Sequence, residues 1–103
     1  MQPFEIHLAR QRWLNCDDAR PWSIVRTLVN GDCECFPISG VCYGGASCFP
    51  LSVSDAEFPA TGLSKDCYVH DSRLYLRRPN QFLKIRGLLT GSLLAEFRKY
   101  AGV

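Results

Sequence analysis

The dipeptide Asn30-Gly31 stands between two runs of strand-forming residues, Trp22 to Val29 (WSIVRTLV) and Asp32 to Ser39 (DCECFPIS). Both residues tolerate the positive φ of a type I′ turn, so this order is a strong hairpin signal and commits the chain to antiparallel pairing. Pro37 in the second arm lacks the N–H that a ladder needs, which predicts that this arm ends there or runs along an edge. Upstream, Phe4, Ile6 and Leu8 alternate with Glu5 and His7. That is the pattern of a half-buried first strand, with His7 exposed opposite the apolar face and kept out of any site.

Further along, Cys48 to Val53, Cys67 to His70 and Arg73 to Arg77 read as short strands, the last two around a turn at Asp71-Ser72. Gly40 to Gly45 reads as a flexible loop, and PATGLSK at 59 to 65 as a turn. Only the tail reads as helix. Thr90 or Ser92 can cap it, and Leu93, Leu94, Phe97 and Ala101 share a face while Glu96, Arg98 and Lys99 point outward. Lys84 to Leu89 adds at most a turn before that helix, with Gly87 as a break. The expected class is mainly β with a C-terminal α-helix: a small, bent sheet or barrel of five to seven antiparallel strands closed by the helix.

A chain of 103 residues suits one domain spanning its whole length. No apolar run approaches the ~20 residues of a membrane span. The start, MQPFEIHLARQ, has neither the basic leader nor the apolar stretch of a secretory signal, so a cytoplasmic, reducing setting is expected. In that setting Cys16, Cys33, Cys35, Cys42, Cys48 and Cys67 read as free thiols behaving as small hydrophobes. Zinc is the sharper alternative, because four of them crowd into residues 33 to 48. Structural zinc sites pair Cys-x2-4-Cys knuckles, whereas here a Cys-x-Cys is followed by gaps of six and five residues with no His nearby. No metal and no cofactor is expected. The same stretch holds nearly one pentapeptide twice, CFPIS at 35 to 39 and CFPLS at 48 to 52.

Charge is distributed unevenly. Residues 1 to 63 carry four basic and seven acidic side chains, net −3, while residues 64 to 103 carry eight basic and three acidic, net +5. A positive surface concentrates phosphate polyanions, so nucleic acid is a plausible partner. A solvated charged face without a ligand is the plainer alternative.

Several motifs occur in a suggestive order: Asp18-Ala19-Arg20-Pro21 leading into WSIVRTLV, then FPIS, then Gly62-Leu63-Ser64-Lys65-Asp66-Cys67 leading into YVHD, and last RGLLTGSLLAEF. Over most of its length the chain thereby resembles the MazF/PemK ribonuclease toxins of bacterial toxin-antitoxin pairs. The resemblance implies an SH3-like barrel with a C-terminal helix, shared with the CcdB toxins. It also implies a homodimer and a small antitoxin protein that lies across the RNA groove. The implied activity is cleavage of single-stranded RNA without a metal: the ribose 2′-OH attacks phosphorus, leaving a 2′,3′-cyclic phosphate and a 5′-OH. The runner-up is a non-catalytic barrel of the same superfamily that binds a protein or nucleic acid.

Such chemistry needs a cation at the phosphorane, a hydrogen-bond donor on a non-bridging oxygen, and groups that move two protons. The resemblance gives the first role to Arg20, whose guanidinium keeps its charge and matches phosphate geometry; pairing with Asp17 or Asp18 is its structural alternative. It gives Ser39 the hydroxyl that reaches the scissile phosphate. Asp71 matches a carboxylate used in proton transfer or base recognition, and is otherwise a turn former. His70 departs from the family, which commonly has a small or apolar residue there. Pointing outward it would be a proton shuttle in the RNA site; pointing inward it would be a core histidine with a satisfied nitrogen. Arg73 and Arg77, with Arg78 close by, are the candidates for the RNA-binding arginine. The segment RQRWLNCDDA is shorter than the family's loop. A short loop leaves a groove open, with Trp13, Trp22, Tyr68 and Tyr75 available for base stacking, although Trp22 reads better as core.

Overall fold

The computed structural model describes the backbone of residues 2–13, 16–42, 47–70 and 75–103; the side chains of residues 10–13, 16–20, 75, 77 and 79 lie outside that description. Among the described residues seven strands and one α-helix follow one another: β1 (Glu5–Trp13), β2 (Cys16–Thr27), β3 (Cys33–Ser39), β4 (Cys48–Leu51), β5 (Cys67–His70), β6 (Tyr75–Arg77), β7 (Phe82–Leu88) and α1 (Gly91–Ala101). Every pairing is antiparallel, in the order β4-β5-β3-β2-β1-β7, with β6 also on β3. The molecule is therefore mainly β with a C-terminal helix. No helix among the described residues is long and apolar enough to cross a membrane.

The β2–β3 hairpin forms, but through a wider turn than Asn30-Gly31 suggests. Leu28 N–H donates to Asp32 O, and Gly31 N–H donates to Leu28 O at 2.9 Å. Gly31 takes φ 90° while Asn30 does not adopt a positive φ. The left-handed residue thus comes last in a three-residue loop, with Asn30 Oδ1 accepting the Asp32 N–H at 3.0 Å. Nor does Pro37 end the second arm. β3 runs through it as an interior strand, paired with β2 on one side, and on the other with β6 at Cys33 to Cys35 and with β5 at Ile38 and Ser39. Pro37 sits where the partner strand changes, the point at which a missing donor is least costly.

Three further expectations need correction. The RQRWLNCDDA segment is largely strand: β1 extends to Trp13, β2 starts at Cys16, and the two pair in register from Ile6↔Ser23 to Trp13↔Cys16. Lys84 to Leu89 is not a turn, because residues 84 to 88 belong to β7, which pairs with β1. That pairing in turn buries His7, which is only 8% exposed and lies edge-on to Phe82 with ring centroids 5.5 Å apart. Gly87 is required by close approach rather than as a break: a Cβ there would run into the carbonyl oxygen of Ala60.

The core lies between the sheet and α1. Phe97 is fully buried and meets Phe4, Phe36 and Phe49 edge-on at 6.2, 6.5 and 5.5 Å. Thr90 occupies the N-cap of α1 without a side-chain cap bond. Its work is done from outside the helix, where the Glu57 carboxylate accepts the Ser92 N–H at 3.0 Å and the Ser92 hydroxyl at 2.8 Å. These bonds, the hydroxyl first, hold the Glu57 carboxyl below its ordinary range.

The free-thiol expectation fails for two cysteines. The connection from β3 to β4 brings Cys42 and Cys48 to a Cα separation of 6.1 Å, within bridging range, and they form a disulfide. Cys33, Cys35 and Cys67 are buried. Burial is the main influence that pushes the Cys67 thiol up in pKa.

Candidate functional site

Three strand ends meet at one place. The β3–β5 register sets Ile38 opposite Val69 and Ser39 opposite Tyr68, and the β4–β5 register sets Cys48 opposite His70. Ser39, His70 and Cys48 are thereby gathered from three separate stretches of chain. Ser39 Oγ lies 2.6 Å from His70 Nε2, and both atoms approach the carbonyl oxygen of Val41, at 2.7 and 2.9 Å respectively. His70 Nδ1 lies 3.6 Å from Cys48 Sγ.

The positions of the protons follow from these distances. Val41 O can only accept, so a lone pair on Nε2 would face another lone pair at 2.9 Å. Nε2 therefore carries hydrogen, an assignment from the hydrogen-bond pattern. Ser39 O–H donates to Val41 O, and Ser39 Oγ can accept from Nε2–H. In the neutral ring the lone pair is then on Nδ1, the nitrogen that faces Cys48.

Burial divides the pair. His70 is 5% exposed, the inward of its two alternatives, with Nε2 satisfied by Val41 O. Ser39 is half-buried and keeps an outward side. Beside it, a Cβ at Gly40 would stand 3.6 Å from Lys65 Nζ, so an exposed ammonium flanks the residue next to Ser39. From the core side the Tyr100 hydroxyl lies within donating distance of Ser47 O at 2.8 Å and Val69 O at 3.2 Å, the residues just before Cys48 and His70. α1 thus buttresses both strands.

The other residues expected at the site are less fully placed. Arg20 lies within β2, opposite Ala9 of β1, and the β2–β3 ladder reaches Trp22↔Pro37, two residues short of both Arg20 and Ser39. Its side chain lies outside the described residues. Asp71 and Arg73 lie outside them altogether, and Arg77 is placed only by its backbone, in β6 opposite Cys33. Trp22 is fully buried, as its reading as core requires, and Tyr68 is half-buried. The side chains of Trp13 and Tyr75 are outside the description.

Sequence reasoning missed Lys65 and the Cys48–His70 contact. Lys65 had a signal, since it stands in the Gly62 to Cys67 motif. The Cys48–His70 contact had none, because it depends on the register of two strands separated by 22 residues in sequence. Among the described residues no group of three or more His, Cys, Asp or Glu side chains is arranged to hold a metal ion. No protein-family model matches the chain. A search of curated proteins finds no match either.

Proposed function

We propose that the chain is the toxin of a bacterial type II toxin-antitoxin pair, a metal-independent endoribonuclease that cuts single-stranded RNA at the Ser39 end of β3. In this reading the sheet closes as an SH3-like barrel. The protein acts in the cytoplasm as a homodimer, and a small antitoxin protein neutralises it by covering the RNA groove. The supporting observation is that the hydroxyl of half-buried Ser39 lies 2.6 Å from Nε2 of buried His70.

A scissile phosphate at this rim meets a donor that is already oriented. The Ser39 hydroxyl swings from Val41 O to a non-bridging oxygen, while His70 Nε2–H continues to donate to Oγ and keeps the hydroxyl proton directed outward. His70 is then a positioning residue rather than an RNA ligand, because it is buried. Arg20 supplies the fixed charge for the phosphorane, with Lys65 adding a second cation beside Gly40. Asp71, one residue beyond β5, takes the 2′-OH proton, and Arg73 and Arg77 bind the flanking phosphates. The bonds change in one displacement: the 2′-oxygen to phosphorus bond forms, the phosphorus to 5′-oxygen bond breaks, and the leaving oxygen takes a proton from water, to which Asp71 returns the one it accepted.

The runner-up is a non-catalytic barrel that binds protein or nucleic acid, favoured by one observation: Val41 O satisfies both the Ser39 hydroxyl and Nε2 within the chain. Incubation of the purified protein with mixed-sequence RNA in EDTA separates the two readings. Fragments with 5′-OH ends should form and should decline by about 10²- to 10³-fold in Arg20→Ala. Undiminished cleavage in that variant would contradict this mechanism; RNA retention without fragments would establish the runner-up.

A further inference from the structure

We infer that the Cys42–Cys48 disulfide is redox-active, and that its opening places Cys48 beside His70 as an activated thiol that exchanges with low-molecular-weight thiols and disulfides. This goes beyond the ribonuclease reading and stands whether or not RNA is cut.

The geometry of His70 carries the inference. Val41 O keeps hydrogen on Nε2, so the basic nitrogen of the ring is Nδ1, 3.6 Å from Cys48 Sγ. Within the disulfide that sulfur has no proton. Once the bond is opened, Cys48 S–H faces an imidazole lone pair, and proton transfer gives a thiolate–imidazolium pair. The resulting positive ring is stabilised through Nε2–H by Val41 O and Ser39 Oγ. Among the described residues two other titratable side chains are placed on this side of the sheet: Lys65, whose ammonium lies beside Gly40, and Tyr100, within donating distance of the carbonyls of the residues that precede Cys48 and His70.

Exposure sets the direction of exchange. Cys42 is exposed and Cys48 half-buried, while Cys33, Cys35 and Cys67 are buried. The thiolate of a small dithiol attacks Cys42 Sγ, the S–S bond breaks, and the electron pair leaves on Cys48 Sγ, the sulfur that His70 stabilises. The second thiol of the reductant then attacks the mixed disulfide, releasing Cys42 and departing as a cyclic disulfide. Two electrons and two protons pass from the dithiol to the protein. In the oxidising direction the Cys48 thiolate attacks a small disulfide, and Cys42 displaces the adduct to restore the bridge.

The test is site-resolved alkylation. The full chain is reduced with dithiothreitol, freed of reductant, and treated with limiting iodoacetamide between about pH 5 and pH 9; labelled sites are located by peptide mass spectrometry. At neutral pH Cys48 should react roughly tenfold faster than Cys42, with a pH–rate midpoint below the ~8.5 of an ordinary thiol. His70→Gln should bring Cys48 down to the rate of Cys42 and return its midpoint to the ordinary range. Cys42→Ser, which cannot form the bridge, should keep the fast Cys48 and accumulate a mixed disulfide with oxidised glutathione. An ordinary midpoint for Cys48 in the wild-type chain overturns the inference, as does an unchanged rate in folded His70→Gln. If His70→Gln does not fold, the wild-type profile and Cys42→Ser decide.

Discussion

The two near-identical pentapeptides, Cys35 to Ser39 and Cys48 to Ser52, lie on opposite sides of β5. Val69 pairs with Ile38 on one side and with Phe49 on the other. Their apolar residues have the same fate: Phe36 and Phe49 both meet Phe97, and Ile38 and Leu51 are 1% and 0% exposed. Their sulfur and hydroxyl groups do not. Cys35 belongs to an interior strand and is buried beside Trp22 and Ala9, whereas Cys48, in the strand that ends the sheet order, is bonded to Cys42. Ser39 meets His70, while Ser52 meets local neighbours, Ser54 Oγ at 2.8 Å and Asp55 through its backbone. Apolar residues need only a core to enter; polar ones depend on which particular group the register sets beside them.

In stability the comparison should hold first at the aromatic positions. Phe36→Ala and Phe49→Ala should each cost about 3–5 kcal/mol in urea denaturation, because each empties a space against Phe97. A cost below ~1 kcal/mol for either would show that the two copies differ in the core as well. Next, the copies should separate at sulfur. Removing the short loop closure by Cys42→Ser should cost about 2 kcal/mol under oxidising conditions, a loss that dithiothreitol reproduces in the wild-type chain. Cys35→Ala should not respond to reductant differently from wild type.

Smaller still, Ser39→Ala should cost about 1 kcal/mol by removing a hydroxyl bonded to two partners. Ser52→Ala, at a local turn, should stay within ~0.5 kcal/mol. The least effect is expected where both copies lean on the same helix. The folded-state pKa of Glu57 lies below its ordinary 4.5, so its support of α1 is present above that value and is lost as pH falls through the folded-state value. Melting temperatures of wild type and Glu57→Gln should differ near neutrality and converge under acid; a constant gap across that range would contradict the cap.

What could be read in the sequence follows the same division. Strands bounded by turn signals announced themselves: β5 occupies Cys67 to His70 as its flanking turns suggested, and the β2–β3 hairpin forms around Asn30-Gly31. β7 was missed because Leu83, Lys84, Ile85 and Arg86 are all exposed, so no inside-outside pattern existed to be seen. His7 was misjudged for the same reason, since its cover comes from Phe82 of that strand. At the site, Ser39 could be marked by resemblance alone. Its contact with His70 spans 31 residues and depends on strand register, and the acceptor they share is a backbone carbonyl that no side-chain pattern marks.

In the proposed function the first pentapeptide's serine works on RNA and the second's does not. Wild type, Ser39→Ala and Ser52→Ala, matched for folding by circular dichroism, should be compared for release of 5′-OH fragments from mixed-sequence RNA in EDTA. Cleavage should fall by about 10²- to 10³-fold in Ser39→Ala and stay at the wild-type rate in Ser52→Ala. Equal cleavage by both variants, or none by the wild-type chain, would contradict it.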